Sequence, residues 1–463
     1  MSAIDQLTFD SSVVRDRVRA MRNEAVTAGV EPGEFDEALG RANVIDGDRD
    51  RFSEIDLGTL EQAVGDRRRD MSLRPGFGPG LSLPSTAQII DRNLEQTRRD
   101  AALATTLPGL TADIVATAQP AQPTFGAAQA GTELRNLAAN GITSTSYWGR
   151  VSPNGEMFAI GSNRGVSLVD LRPGQSNAVH FRQGSYDPTF GDDALYFQGG
   201  GTWRVGMDWL RNNPPENVTG EVPGGVQRVT SLALYQDVMG SDRNGYALDG
   251  HLWAGDAAPS TRDPRVSGSA TASVRVHSLN GLATGTDRNT QTIATPFHSG
   301  WQMSHDGRHM VSQIVDPANP NTQRGYAIYG VSRSDSGAVE LSPVRLVSGL
   351  QGGKPKMGGD YLAYHHAVTA ADFAHYGFAS AEDPAFQDLL RRGTADIYLY
   401  NIRDNTVRRA TNAGPGNLAW FPSFATNADG TLRVVYLQRN TDGSNRVMSI
   451  NADAPAPASA PAQ

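Results

Sequence analysis

Two stretches of this chain place side chains at spacings that could do chemistry. In the first, NVIDGDRDRFSEIDLGTLEQAV from Asn43 to Val64, Asp46, Asp48 and Asp50 alternate, and Glu54 and Asp56 follow closely. Alternating carboxylates suit a hard divalent cation such as calcium, which takes about six to eight oxygens at roughly 2.3–2.6 Å; a backbone carbonyl near Phe52 would complete the set. The same acids have a plainer use, because carboxylates at the start of a helix are stabilised by its dipole. In the second stretch, YHHAVTAADFAHYGF from Tyr364, the adjacent His365 and His366 precede His375. Neighbouring residues on a strand point to opposite faces, so one metal would take His365 or His366 together with His375, never all three. The plain alternative is a loop histidine packed among Tyr364, Phe373 and Tyr376, with Asp360 and Asp372 in turn and helix-cap roles.

Other chemistries find no residues to carry them. Cysteine is absent, which removes disulfides, thiolate metal sites and cysteine nucleophiles. No Gly-x-Ser-x-Gly elbow occurs, which argues against a prolyl-peptidase type of hydrolase. GLQGGKP from Gly349 contains Lys354 but lacks the spacing and following Ser or Thr of a phosphate loop, and FQGGGTWRV reads as a hairpin turn. The 463 residues carry a formal net charge of -8 with 19% charged side chains, as expected of a soluble chain of more than one domain. Arg67-Arg68-Arg69 and Arg391-Arg392 are short and flanked by acids, so they read as solvated helix faces and no nucleic-acid partner is expected. The N-terminus lacks a basic stretch followed by an apolar core, and no apolar run approaches the ~20 residues of a membrane span. No signal peptide is expected, and a cytoplasmic location and export by a signal-less route both remain open.

The elements that must position these residues follow from texture. From Phe9 to about Met71 apolar residues recur at helical spacing, with Val13, Val14, Val18, Met21 and Val26 on one face. Residues 1–71 therefore read as a small helical module. Residues 72–131 read as a linker: SLRPGFGPGLSLPS breaks regular structure, one helix is expected from Thr86 to about Thr105, and Thr117–Ala130 is loose and rich in Ala, Pro and Gln. From Thr132 to about Ala452 short β-rich runs are cut by Gly, Asn, Asp and Pro, and residues 453–463 read as a disordered tail.

Inside the β region one pattern recurs. Ser152-Pro153-Asn154-Gly155 leads into MFAIGS and VSLVDL; Ser304-His305-Asp306-Gly307 leads into HMVSQIV and YAIYGV. Gly358-Gly359-Asp360 leads into YLAYHH, then DIYLYNI and TVRRATN, and Asn427-Ala428-Asp429-Gly430 leads into LRVVYLQ and RVMSI. Two weaker copies begin at Tyr186 and Leu234. A four-stranded antiparallel sheet cannot bury both faces alone, and stacking such sheets around an axis solves that problem. These turn-strand-strand motifs resemble the WD40-like, TolB-type propeller repeat. The resemblance covers about 132–452 and implies a mainly β fold, a six-bladed β-propeller, and relatives that mostly bind partners. It departs from the family pattern in that only the first copy keeps Ser-Pro. The last copy lacks a fourth strand, and TELRNLAANGI from Thr132 to Ile142 matches it, so that piece is expected to close the ring.

The acidic stretch resembles an EF-hand or dockerin-type loop, with Arg51 where glycine would make the sharp turn and the closing acid Asp56 one residue early. Most of the tryptophans are expected between blades. Trp209, in the polar insertion MDWLRNNPPENV, is the one expected to be exposed, and with Arg211 it marks a candidate edge for a protein or peptide. The expected function is a non-enzymatic binding or scaffold propeller with a weak calcium site. The alternative is a propeller hydrolase or lyase with a metal near His365 and His375. Calorimetric titration of calcium into residues Met1 to Met71, beside Asp48→Ala, tests the acidic loop. Binding is expected at a Kd of about 10⁻⁴ to 10⁻³ M and lost on substitution. No heat and no thermal shift at millimolar calcium would make the acids a helix cap only.

Overall fold

The computed structural model describes residues 104–106, 118–125, 128–145, 149–175, 178–181, 185–191, 194–199, 201–212, 217–218, 222, 225–230, 239–241, 251–255, 273–278, 289–294, 298–304, 306–315, 323–335 and 337–453. The expected helical module with Asp46, Asp48, Asp50, Glu54 and Asp56 lies outside the described residues, as does the tail from residue 454. The first described elements are four short strands: β1 (Ala104–Thr106), β2 (Gln119–Pro120), β3 (Gln122–Pro123) and β4 (Thr132–Asn136). β1 takes up the last residues of the helix expected from Thr86 to about Thr105, the rest of which lies outside the described residues. Thr105 and Thr106 are β-branched and Leu107 precedes a proline, both of which favour extended backbone.

The rest of the chain forms antiparallel units in which strands pair in chain order. Unit A holds β5 (Arg150–Val151), β6 (Met157–Ser162), β7 (Gly165–Asp170) and β8 (Ala178–Phe181). Unit B holds β9 (Tyr186–Phe190), β10 (Ala194–Gln198) and β11 (Thr202–Gly206). An insertion of helix α1 (Met207–Asn212) and β12 (Asn217–Val218) separates these from the unit's outer strand, β13 (Val226–Thr230). Unit C holds β14 (Met239–Ser241), β15 (His251–Gly255), β16 (Ser273–Ser278) and β17 (Asn289–Ala294). Unit D holds β18 (His298–Met303), β19 (His309–Val315), β20 (Gln323–Arg333) and β21 (Val339–Ser348). Unit E starts with β22 (Gly353–Gly358) and β23 (Tyr361–Ala367). Its insertion holds a 3-10 helix (Ala370–Tyr376) and α2 (Pro384–Arg392), and β24 (Ala395–Asn401) and β25 (Thr406–Arg409) complete it. Unit F holds β26 (Leu418–Thr426), β27 (Leu432–Arg439) and β28 (Asn445–Asn451), and its fourth strand is β4 from the beginning of the described chain. This is a β-propeller.

Turn chemistry explains why the repeat is visible in sequence. Ser152 Oγ accepts from the Met157 backbone N–H at 3.0 Å and donates to Asn154 Oδ1 at 2.7 Å. Ser304 repeats this with His309 N–H at 3.0 Å and Asp306 Oδ1 at 2.5 Å. Each turn closes on a glycine at positive φ, Gly155 at 74° and Gly307 at 67°, where an L side chain would strain the backbone.

Strand alternation then supplies two packing faces per unit. In β24, Tyr398 and Tyr400 pack toward unit D with Tyr326, Ile328 and Val347. On the other face Ile397 and Leu399 pack toward unit F with Val434 and Tyr436. Unit F turns its opposite face, with Val435 and Leu437, to unit A at Phe158, Ile160 and Val169. Units A and B share Leu168, Phe181, Phe197 and Trp203, and units C and D share Val276, Ile293, Trp301 and Tyr329.

The outer edges are covered by borrowed strands. β1 pairs parallel with β17 of unit C, β2 with β21 of unit D, and β3 with β25 of unit E. β12 does the same for β8 of unit A. The segment 118–124 is thus extended along the rim rather than loose, held by bonds such as Gln122 N–H to Asn405 O and Thr124 N–H to Val407 O, both 2.8 Å. Pro120 and Pro123 fit there because an edge strand tolerates a missing N–H.

As expected from sequence, Thr132–Asn136 pairs antiparallel with β28, and Leu137 and Ile142 behind it are 0% and 1% exposed. A chain starting at Gly149 loses that strand and both apolar anchors, each contributing about 1.5–3 kcal/mol. It is expected to melt about 10 °C or more below a chain starting at Gln129, or to aggregate through the bared edge. Differential scanning calorimetry of the two checks this, and equal melting temperatures would remove the closure argument.

Candidate functional site

The unit E insertion brings most of the candidate chemistry to one place. Val368, Phe386 and Leu389 form a small core beneath it, with Phe373, Tyr376 and Phe378 against them. Asp372 Oδ2 accepts from Thr369 N–H at 2.7 Å, Thr369 Oγ1 at 2.6 Å and His366 Nε2 at 2.8 Å, so it does cap the 3-10 helix. Burial would raise the Asp372 carboxyl, but the bonds from His366 and Thr369 outweigh it and hold the group below the usual carboxylate range.

The insertion is pinned to the sheet by Asp396, which is fully buried. Its carboxylate accepts from Thr411 Oγ1 at 2.7 Å, Ala413 N–H at 2.8 Å, Tyr376 Oη at 2.8 Å and Arg409 Nη1 at 3.3 Å. The Arg409 guanidinium also lies 3.9 Å from the centre of the Tyr376 ring. A buried charge is tolerated only when compensated in this way. The Tyr398 hydroxyl beside it is pushed far up by burial and by neighbouring Tyr376, Asp372 and Asp396.

The histidines fall on two faces, as strand alternation requires. His365 stacks on Trp420 with ring centres 5.3 Å apart and meets Phe421 edge-on, toward unit F. His366 and His375 both meet the ring of Tyr398 edge-on, at 5.2 and 5.4 Å, toward the opposite side. His365 and His375 are therefore not brought together, and among the described residues no group of three or more His, Asp or Glu stands ready for a metal.

Trp209 and Arg211 lie on α1. Trp209 is half-buried against the core shared by units A and B, and a Cβ at Gly225 would come within 2.4 Å of its indole. The expected exposure is corrected: the bare backbone of Gly225 receives the ring, a partner that sequence spacing does not reveal. Arg211 is exposed and pairs with Asp208 at 3.0 Å and Glu156 at 3.9 Å.

A site missed in the sequence lies where the first strands of the units converge. Arg150, Val151, Pro153, Thr189, Phe190, Lys356, Ser423 and Phe424 line one cavity. They come from units A, B, E and F, and Arg150 Nη2 donates to Gln302 Oε1 of unit D at 2.5 Å. Three of the units share a device here. Asp187-Pro188, Lys354-Pro355 and Phe421-Pro422 sit at register slips of β9, β22 and β26, and their first residues have φ of 48°, 50° and 53°. These are β-bulges that re-aim the following residue, Thr189, Lys356 or Ser423. β18 slips at the same place and presents Gln302. The repeated residue-Pro-polar triplet was the signal available in the sequence.

No protein-family model and no curated protein matches this chain. Among solved structures, the β-propeller domain of Cps50 (Swd1) from Myceliophteria thermophila is 12% identical, with 65% of this chain and 83% of that one covered at a TM-score of 0.33. The β-propeller domain of the Trilobed protease from Pyrococcus furiosus is 9% identical, covering 67% and 97% at a TM-score of 0.36. The Pyrococcus horikoshii acylaminoacyl peptidase is 10% identical, covering 67% of this chain but only 52% of the peptidase, at a TM-score of 0.37. The strand pairing itself carries the propeller assignment.

The insertion also makes a prediction about pH. Burial lowers the His375 imidazole below its usual value, with His366 and Arg409 adding to this and Asp372 opposing it. The unfolded chain therefore takes up this proton first as pH falls. The stability contributed by the neutral ring is complete above about pH 7 and is lost from about pH 6.5 downward. His375→Gln is expected to reduce the drop in Tm between pH 7 and pH 5 by about 1–2 °C, and parallel melting curves for the two proteins would contradict it.

Proposed function

We propose that units A to F are the blades of a six-bladed, TolB-like propeller spanning about 132–452, acting as a non-enzymatic platform for a protein or peptide partner. The observation that carries this reading is the uneven rim. Units A, C, D and E each carry a borrowed fifth strand, whereas among the described residues neither β13 of unit B nor β4 of unit F carries one; of the two, we take β13 because the α1 insertion belongs to its unit. An uncovered outer strand offers backbone donors and acceptors to an extended peptide, which is a common way for sheets to bind partners. The helix with Trp209 and Arg211 belongs to the same unit. Trp209 supplies a rigid wall and Arg211 an exposed guanidinium.

The N-terminal acids Asp46, Asp48, Asp50, Glu54 and Asp56 complete the reading as a weak calcium site in a separate module of residues 1–71. The rival function, a hydrolase or lyase with a metal near His365 and His375, draws no support from the placement of those two rings. Affinity capture from the native source with wild-type protein and Arg211→Glu tests the edge. Charge reversal at the rim of an interface is expected to weaken capture about fivefold or more while Tm stays within about 1 °C. Trp209→Ala, by contrast, is expected to lower stability by about 1–3 kcal/mol through lost packing. A partner captured equally by wild type and Arg211→Glu would place the binding edge elsewhere.

A further inference from the structure

We propose that the end of β13 takes a short, uncharged, proline-containing peptide of the Gln-Pro-Thr kind, added parallel to the strand. This rests on the reading of β13 as the binding edge and specifies the chemistry of its partner. Four other units show what covers such an edge. Every added strand is short and runs parallel to the strand it covers: β1 on β17, β2 on β21, β3 on β25 and β12 on β8. In units A, C and D the added residues lie against the last two or three of the covered strand. Each covered strand presents a buried apolar residue at the pairing, Phe181, Ile293, Val347 or Val407. β13 repeats this with Val229, which is buried and next to last in its strand. The start of β13 is met by its own chain, where Val222 N–H donates to Val226 O at 2.8 Å. Among the described residues no added strand lies beside Val229 and Thr230.

The added strands also show which chemistry fits. Ala104-Thr105-Thr106, Gln119-Pro120, Gln122-Pro123 and Asn217-Val218 carry no charge, and two of the four contain proline. Unit E shows why proline is suited. Gln122 N–H donates to Asn405 O and Thr124 N–H to Val407 O, so the residues on either side of Pro123 make the bonds. An N–H on the middle residue would point away from the sheet, and proline loses nothing by lacking it. Its fixed φ lowers the entropy lost when a free peptide becomes ordered. Without an outward N–H at that position, the added strand is also a poorer template for further pairing. A tripeptide with proline between two donors thus fills the edge and ends it.

The probe is the end-blocked peptide Ala-Gln-Pro-Thr-Phe, a copy of residues 121–125, added to the full chain and followed by amide hydrogen exchange. At saturating peptide, exchange in residues 226–230 is expected to slow about fivefold or more. The same peptide N-methylated at Gln and Thr lacks both donors and is expected to give no protection. A photo-cross-linker on the peptide's N terminus is expected to label Val226 or Gln227, where an antiparallel peptide would place its C terminus. Equal protection by the N-methylated peptide, the reverse labelling, or protection falling on residues 347–348 and 406–407 instead would overturn the proposal. So would slow exchange of residues 226–230 that is present without peptide and unchanged by it, because the chain itself would then cover the edge. If no peptide protects 226–230 while Arg211→Glu still weakens capture, the peptide chemistry fails and the binding edge stands. Capture indifferent to Arg211→Glu removes the edge, and this proposal with it.

Discussion

Everything in this structure depends on the need to cover sheet edges and faces at once. A four-stranded antiparallel sheet exposes two faces and two edges, and each leaves apolar surface or backbone polar groups unmet. Neighbouring units cover the faces, as Tyr398 and Ile397 show by packing in opposite directions from adjacent positions of β24. Edges need something more. The pairing of β4 with β28 gives unit F strands from both ends of the described chain, so the last unit cannot form until the first part of the chain has returned to it. The preceding segment then runs along the rim, adding β1, β2 and β3 to units C, D and E. What looks like a linker by composition is a belt.

How much of this was legible depends on where each signal resides. The turns were readable because Ser152, Asn154 and Gly155 act on backbone groups within five residues of themselves, so the cause and its effect share one stretch of sequence. The closing strand was readable by subtraction, since one copy lacked what another had. The belt was not, because Gln119-Pro120 and Gln122-Pro123 owe their extended form to outer strands more than two hundred residues later. Trp209 failed for the same reason on a smaller scale: its environment is set by the missing side chain of Gly225.

The histidine stretch shows the limit of residue types as evidence. Its adjacent pair was assigned to opposite faces by strand geometry alone, and the rings do part, His365 to Trp420 and His366 to Tyr398. Asp372 was read as a cap and is one. Asp396, the second residue of β24, which ties Tyr376 of the insertion to Arg409 of β25, attracted no notice because a single Asp at the start of a strand is ordinary in sequence. Its importance comes from four donors that converge on it from Tyr376, Arg409, Thr411 and Ala413.

The bulged first strands are where local preference and global demand disagree most. Asp187, Lys354 and Phe421 each precede proline, a position that favours extended backbone at negative φ, yet all three adopt positive φ. Strain of that kind costs about 1–3 kcal/mol per residue and must be offset by packing elsewhere. Three units accept it at the same strand position, and a fourth slips there without proline. A defect would not recur in register. A regular strand would keep the alternation of the flanking residues, and Thr189, Lys356 and Ser423 would then fall on the face turned to the next blade. The slip puts buried polar groups at the centre and leaves Phe190, Met357 and Phe424 to the apolar interfaces. The centre of the propeller is thus polar by construction, and the conflict with local preference is the sign that marks it.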